Sequence, residues 1–234
     1  AKHDLGCRKL GLEPGMEVLD LGCGWGPFLK FAAENYKIGR GVGVSLSKDQ
    51  VKLGNERCKG LPVSLLLKDY RDVEGTFDRI GSFGIFEHVG PKNYRTYFEK
   101  AHEVLKPGGL FLVHTFGNIN PSPTLLTPEV EWINKHIFPG LVCPSYGQIA
   151  SASDGLFTVL DMQEFGGYYD PTLMAWHENF VNGWPTIKHL YDERFYRKWT
   201  YYLLICAGAF RSGHFRLWQT VLGKDHQGVY QAVR

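Results

Sequence analysis

The 234-residue chain has no apolar run near the ~20 residues that a membrane-spanning helix needs. It has little net charge: 26 Lys and Arg against 24 Asp and Glu leave +2, which gives no footprint for nucleic acid. The five cysteines, Cys7, Cys23, Cys58, Cys143 and Cys206, form no C-x-x-C pair. An odd, scattered set points to a reducing compartment and against a structural zinc site. The phosphate-cradling G-x-x-x-x-G-K-[ST] is absent, as are internal repeats and low-complexity runs. No secretory leader is visible. The chain opens at Ala1 without methionine, which reads as a domain cut from something longer.

Aromatic residues, by contrast, make up 14% of the chain and include six Trp, enough for a core or for the walls of a large apolar pocket. The organising stretch is residues 17–26, E-V-L-D-L-G-C-G-W-G. A short apolar run that breaks into Gly22, Gly24 and Gly26 reads as a buried parallel strand feeding a tight turn. Phe28, Leu29, Phe31, Ala32 and Ala33 then suit a helix packed back on the sheet. Such a unit offers backbone N–H groups to a cofactor. The spacing is G-x-G-x-G, not the dinucleotide G-x-G-x-x-G. Asp20 beside it would repel a pyrophosphate but can pair with a cationic amino-acid ligand. The loop resembles motif I of the class I S-adenosylmethionine-dependent methyltransferases.

Further along, Gly41–Leu46 reads as a second strand, with Ser47 capping a helix from Lys48 to about Cys58. No acid stands at the end of that strand to hold a ribose; Leu46 and Gln50 are the residues in reach, and Gln50 can hydrogen-bond the ribose. Val63–Leu67 is a third strand. Asp69, Tyr70 and Arg71 after it are candidates for the adenine edge or face. Phe77–Phe83 is a fourth strand, running into Gly84–Gly90. A helix from Pro91 to Leu105 stops at Lys106-Pro107-Gly108-Gly109, and Leu110–Thr115 is a fifth strand. Strands alternating with helices give a doubly wound α/β sheet with ligands at the strands' carboxyl ends. Residues 117–153 hold five prolines and an amphipathic piece around Glu131–Phe138, which suits a lid or pocket wall. A sixth strand begins at Phe157–Met162. Thr172 to about Arg211 is helical with an interruption near Trp184-Pro185, and Phe215–Leu222 is a last, antiparallel strand.

Several motifs then agree: V-L-D-L-G-C-G-W-G, K-D-Y-R-D, F-E-H-V-G-P-K-N-Y, W-I-N-K-H-I-F-P-G, Y-D-P-T-L-M-A-W and Y-Y-L-L-I-C-A-G-A-F-R. With these, the chain closely resembles cyclopropane-fatty-acyl-phospholipid synthases, relatives of the mycolic acid cyclopropane synthases, from about residue 17 to 218. The resemblance implies a Rossmann-like, seven-stranded, mostly parallel sheet with an antiparallel last strand, forming one catalytic domain over 1–234 with lipid-pocket insertions at about 117–153 and 170–211. It implies methylene transfer from S-adenosylmethionine to a cis double bond in a phospholipid acyl chain. An alkene is a weak nucleophile with no proton to lose first, so positioning against the sulfonium methyl is the main task. Attack leaves a carbocation that must be shielded from water and faced by aromatic rings.

In this family a bound bicarbonate is taken to remove the proton that lets the ring close. The positions that match are Cys23, Glu87, His114, Phe116 through its backbone N–H, and Tyr169. The family more often has an aliphatic residue where Phe116 stands. Glu87 must be protonated, or accept the bicarbonate hydroxyl, because two anions in one apolar pocket repel. Cofactor contacts fall to Asp20, Gly22, Gly24, Leu46, Gln50, Asp69, Tyr70 and Arg71, with no metal. Cys206, on an apolar helical stretch, reads as packing. The resemblance further implies a cytoplasmic protein in transient, peripheral contact with the inner face of the membrane. Family members often dimerise and carry an N-terminal lipid-binding domain, and residues before motif I commonly include an aromatic that touches the cofactor. Two other readings share these residues: methyl transfer to another lipid or small molecule without ring closure, and a cofactor-binding module without turnover.

Overall fold

Apolar side chains alternate along the first strand, and this alternation fixes the layering. In the computed structural model, which describes residues 2–119 and 127–234, β1 (Glu17–Leu21) sends Leu19 and Leu21 into one buried cluster and Val18 into another. A strand that buries both faces must lie inside a sheet covered on both sides. The coverings are α1 (Lys2–Lys9) and α2 (Pro27–Tyr36) on one face, and α5 (Tyr94–Val104) on the other. Next come β2 (Arg40–Ser45), α3 (Lys48–Arg57), β3 (Val63–Leu67), β4 (Phe77–Phe83), the short α4 (Phe86–Val89) and β5 (Leu105–Asn118). After α6 (Pro128–His136), α7 (Tyr146–Ser153) and β6 (Thr158–Glu164), two long helices, α8 (Tyr169–Ile187) and α9 (Glu193–Arg211), precede β7 (Phe215–Gly223).

The seven strands are ordered β3-β2-β1-β4-β5-β7-β6. β7 runs antiparallel to both its neighbours, and the β1–β5 pairings are parallel. The expected seven-stranded, mostly parallel sheet with a reversed last strand is therefore present. Among the described residues no helix is long and apolar enough to cross a membrane. A third apolar cluster, including Ile133, Leu173, Leu203 and Phe210, joins α6, α8 and α9 beside β7.

Local expectations hold unevenly. Ser47 caps α3, accepting from the Gln50 N–H at 3.4 Å. Residues 86–89, read as the tail of a strand, are helical: Gly84 takes φ +76° and ends β4, and the buried Phe86 ring stacks on Tyr94 at 4.4 Å. The helix expected from Pro91 begins as a 3₁₀ turn, Pro91–Asn93, before α5. Lys106-Pro107-Gly108-Gly109 is not loop but the irregular start of β5. There Gly108 N donates to Lys224 O at 2.8 Å, and Lys224 N donates to Gly109 O at 3.1 Å. The interruption expected at Trp184-Pro185 falls after Ile187, because Phe180 stacked on Tyr196 and Trp184 tilted against the same ring carry α8 through the proline. The region 117–153 contributes α6 and α7, and its residues 120–126 lie outside those described.

The glycine loop is seated against β2. Gly22 N and Cys23 N both donate to Val44 O, at 3.1 and 3.0 Å, and Cys23 packs over Gly43. A Cβ on Gly43 would lie 2.6 Å from Leu65 Cδ2 and 2.7 Å from Cys23 Cβ. Gly43→Ala is expected to destabilise the fold by about 1–3 kcal/mol through overpacking. Thermal melting checks this, and an unchanged midpoint would mean that Cys23 does not pack there.

Candidate active site

Asp20 stands at the carboxyl end of β1, with Gly43 and Gly81 as its neighbours on the flanking strands. It is 2% exposed and its Oδ1 has no hydrogen-bond partner among the described residues. Burial raises its pKa to about 7, against the opposing pull of the Lys2 ammonium. The loop that follows holds Gly22, Gly24 and Gly26 at φ +79°, +54° and +74°, a region that side chains rarely enter. At Gly24 a Cβ would meet nothing within 4 Å, so there the loop presents bare backbone to open space, whereas a Cβ on Gly22 or Gly26 would strike Ile85 or Leu65.

Around the loop, Leu46 is 73% exposed just past the end of β2. Gln50 Oε1 accepts from Ser45 Oγ at 2.8 Å, which leaves the amide nitrogen of Gln50 for a ligand. After β3, Asp69 caps the 3₁₀ turn Tyr70–Asp72 and takes the Arg71 guanidinium in two bonds, at 2.9 and 2.8 Å. That pairing holds the Asp69 carboxyl below its ordinary range. The Tyr70 ring meets Tyr97 edge-on at 5.0 Å.

Glu87 forms the second centre. It sits in α4, 2% exposed, and accepts from Thr115 Oγ1 at 2.8 Å. Burial pushes its pKa up to about 7, although the Thr115 hydroxyl, the Phe116 backbone N–H and the Lys2 charge all favour the ionised form. Side chains alternate along β5, so Thr115 faces Glu87 while His114 faces the α1 side. Burial and nearby cations take His114 down to about 3, so its imidazole is neutral; its Nδ1 is buried without a partner among the described residues. Burial, then the Glu87 charge, raise the Tyr169 phenol. Phe116 meets Tyr169 edge-on at 5.0 Å.

Tyr169 borders two cavities. One, of about 260 Å³, is apolar and lies between Phe116, Ile133, Leu141, Trp176, Tyr202 and Phe210. The other, of about 480 Å³, is lined by Lys2, Arg8, His114, Gln219 and Arg234 among others. Glu87, Phe116 and Tyr169 are thus brought together, and His114 joins them through the second cavity.

Cys23 does not join them. It is 4% exposed in the cluster with Val18, Phe28, Cys58 and Leu65, and burial raises its thiol. The thiols beside the apolar cavity are Cys143, which feels the Glu87 charge after burial, and Cys206, which is part of the wall. Sequence reading passed over Thr115, although it stands inside V-H-T-F-G, and Lys2, whose pKa falls through burial while Asp20 and Glu87 pull it back.

A glycine loop behind a buried acid, on a 3-2-1-4-5-7-6 sheet whose seventh strand is reversed, defines an α/β methyltransferase fold. Residues 1–220 match the family described as mycolic acid cyclopropane synthetase, and the chain belongs to that family. It is 50% identical over 238 residues to the cyclopropane-fatty-acyl-phospholipid synthase of Escherichia coli K12, covering 100% of this chain and 60% of that protein's length. The structure of the cyclopropane synthase MmaA2 from Mycobacterium tuberculosis superposes with a TM-score of 0.89 at 31% identity, covering 95% of this chain and 83% of that one. The mycolic acid cyclopropane synthase CmaA1, complexed with SAH and CTAB, does so with a TM-score of 0.88 at 32% identity over the same shares.

The raised pKa of Glu87 makes stability depend on pH. Its folded value lies above its unfolded one, so the wild type loses stability as pH rises from about 4.5 to about 7, and the loss is complete above that. Glutamine does not titrate. Glu87→Gln should therefore gain on the wild type across this window, by up to about 3 kcal/mol. Melting curves at both ends of the window check it; a constant difference between the two proteins would refute the buried, raised carboxyl.

Proposed function

We propose that this chain transfers a methylene group from S-adenosylmethionine to the cis double bond of a phospholipid acyl chain, forming a cyclopropane ring. The observation that carries the reading is a buried carboxyl with a pKa near 7, Glu87, behind two aromatic side chains that line an apolar cavity, Phe116 and Tyr169. The family membership and the SAH and CTAB held by CmaA1 support the same assignment.

The methyl donor fits the residues present. Asp20 offers an unpartnered carboxyl oxygen to a cationic ligand, and the Lys2 ammonium is the positive charge that Asp20 and Glu87 feel here. Gly22 and Gly24 would approach the donor's amino-acid end through bare backbone, Gln50 its ribose, and Leu46 with Asp69, Tyr70 and Arg71 its adenine. When bound, S-adenosylmethionine supplies an electrophilic sulfonium methyl. The acyl chain lies in the apolar cavity walled by α6, α8 and α9, so the insertions serve as a lipid pocket within one catalytic domain. The Phe116, Tyr169 and Phe210 rings exclude water from the developing carbocation and face it with π-electrons.

Bicarbonate also fits: His114 has an unpartnered Nδ1, the Tyr169 phenol borders the same cavity, and the raised pKa of Glu87 keeps it mostly protonated below about pH 7. His114 and Tyr169 would hold it in their shared cavity, with Glu87 bearing on it from the other side of β5 through the Tyr169 phenol, and it would supply the base that ring closure requires. The Phe116 N–H bears on the Glu87 carboxylate, so in this assignment it orients Glu87. Cys23 keeps a packing role under the loop. A cytoplasmic protein that visits the inner membrane face, as a homodimer, completes the proposal.

The test is transfer of label from S-adenosylmethionine to vesicles of cis-unsaturated phospholipid, with and without bicarbonate. Labelled lipid with loss of olefinic protons, stimulated by bicarbonate, is expected. Label in lipid whose alkene persists would instead mean methylation without ring closure. Glu87→Gln should lower turnover by orders of magnitude while cofactor affinity stays nearly constant; if both collapse together, the assignment of Glu87 is wrong. Gly24→Val should abolish cofactor binding, because its side chain enters the open space at a backbone angle valine resists. Unimpaired binding would remove the glycine loop from the site.

A further inference from the structure

We propose that the face shared by the end of α6 and the first half of α9 docks on the surface of an anionic phospholipid bilayer. Docking there turns the mouth of the apolar cavity toward the acyl chains. The proposal rests on the lipid-substrate reading and adds the surface that presents the protein to its substrate.

The rest of the chain covers the α8–α9 hairpin sparsely. Leu173 is the one fully buried residue of α8 among those described. In the outer half of the hairpin the aromatic rings pack on each other: Phe180 stacks on Tyr196 at 5.4 Å, and Tyr191 stacks on Phe195 at 4.3 Å. The planes of Phe195 and Trp199 lie 11° apart. This ring ladder extends outward from the third apolar cluster, against which Phe180 and Trp199 pack. It also leaves Leu190 and Tyr191 exposed at the tip and Tyr201 exposed on α9. Amphipathic rings in such positions suit the headgroup layer of a membrane.

Charge supplies an independent observation. Lys135 and His136 close α6, and Arg194 and Lys198 stand on α9. The His136 imidazole is held below its ordinary value, first by desolvation and then by Lys198, Lys135 and Arg194, so these cations share one patch. Some exposed cations have partners, as Arg95 has Glu99 and Arg211 has Asp170, and others such as Lys52 and Lys59 have none among the described residues; what sets this patch apart is that its cations lie together. No ion pair among the described residues includes Lys135, Arg194 or Lys198. Glu131 and Glu193 lie on the same two helices without pairing to them. A cluster left uncompensated in this way repels itself and is relieved by an anionic surface.

The patch is also continuous with the cavity. Ile133 of α6, Trp176 of α8 and Tyr202 of α9 line it, and Phe138 and Trp176 remain 39% and 48% exposed at its edge. Trp132 packs against the apolar cluster that includes the cavity-wall residue Ile133, and its ring lies 4.6 Å from Tyr201 and 5.1 Å from His136. An acyl chain drawn from a bilayer at this face would reach the cavity without crossing bulk water. The tip, with Leu190 and Tyr191 out in solvent, fits a layer that admits side chains at any position better than it fits the matched groove of a folded acidic partner.

The test is flotation of the 234-residue chain, without methyl donor, on vesicles of phosphatidylcholine alone or mixed with phosphatidylglycerol. Binding is expected on the mixed vesicles only and should weaken as salt rises. The triple variant Lys135→Glu, Arg194→Glu, Lys198→Glu should bind at least about 100-fold more weakly. It should melt like the wild type and turn over detergent-dispersed phospholipid at the wild-type rate. Lys52→Glu with Lys59→Glu, beside β3 at the opposite edge of the sheet, should bind like the wild type. Equal binding of the wild type to both vesicles, or undiminished binding by a triple variant that melts normally, would overturn the proposal. Polyglutamate bound as tightly as the mixed vesicles would overturn it in favour of an acidic protein. Because docking is read without turnover, intact docking with no methylene transfer would refute the catalytic reading alone. Lost docking with turnover on dispersed lipid would refute this inference alone.

Discussion

Desolvation of two carboxyls, Asp20 and Glu87, is the constraint on which the rest of the structure depends. Each is 2% exposed, and burial lifts each to a pKa of about 7 against the opposing pull of Lys2. A carboxyl in that position destabilises the fold unless something positive or hydrogen-bonding comes to it. For Glu87 part of that need is met inside the chain, by the Thr115 hydroxyl and the Phe116 N–H. Asp20 Oδ1 has no such partner among the described residues. The unmet demand at Asp20 is what a cationic ligand can satisfy, so the cost of burial and the capacity to bind are one property.

The sheet makes this placement possible. Asp20 has glycine on the strand at either side, Gly43 and Gly81, which leaves space at the carboxyl end of β1. Thr115 and His114, adjacent on β5, point to opposite faces, so one strand serves Glu87 on one side and the basic cavity on the other. Tyr169, at the start of α8, spans the division because it borders both cavities. The site is therefore assembled from strand ends, the short α4 and the start of α8.

Much of this was legible in the sequence because it rests on local pattern. The glycine loop, the alternation along β1 and the Ser47 cap each depend on a few neighbouring residues. What was not legible depends on partners distant along the chain. Residues 106–109 carry a helix-stop pattern, yet they and Leu105 join β5 because Lys224 pairs with Gly108 and Gly109 and Phe77 with Leu105. Phe86 ends a strand-like run, yet it turns helical to reach Tyr94 and Phe98. Pro185 sits within α8 because rings on α9 hold the helix together there. The capping box of Ser145 and Gln148 that starts α7 was in plain view but was masked by the surrounding prolines. Cys23 was read toward the site by its place in the motif. Which way a loop side chain points depends on the strand behind it, and here Gly43 leaves the space that takes it.

The order of the sheet also governs how the molecule can form. β7 is the last strand in the chain, yet it lies between β5 and β6, and nine of its residues register against β5 from Leu110 to Asn118. Until residues 215–223 have been synthesised, the strand carrying His114, Thr115 and Phe116 has one open edge, and β6 has no neighbour at all. Such long-range pairing slows folding, and an open edge invites pairing with another chain. The growing polypeptide thus passes through a stage in which the β1–β5 half of the sheet is complete while the β5 edge is unprotected, and β7 closes both vulnerabilities in a single step.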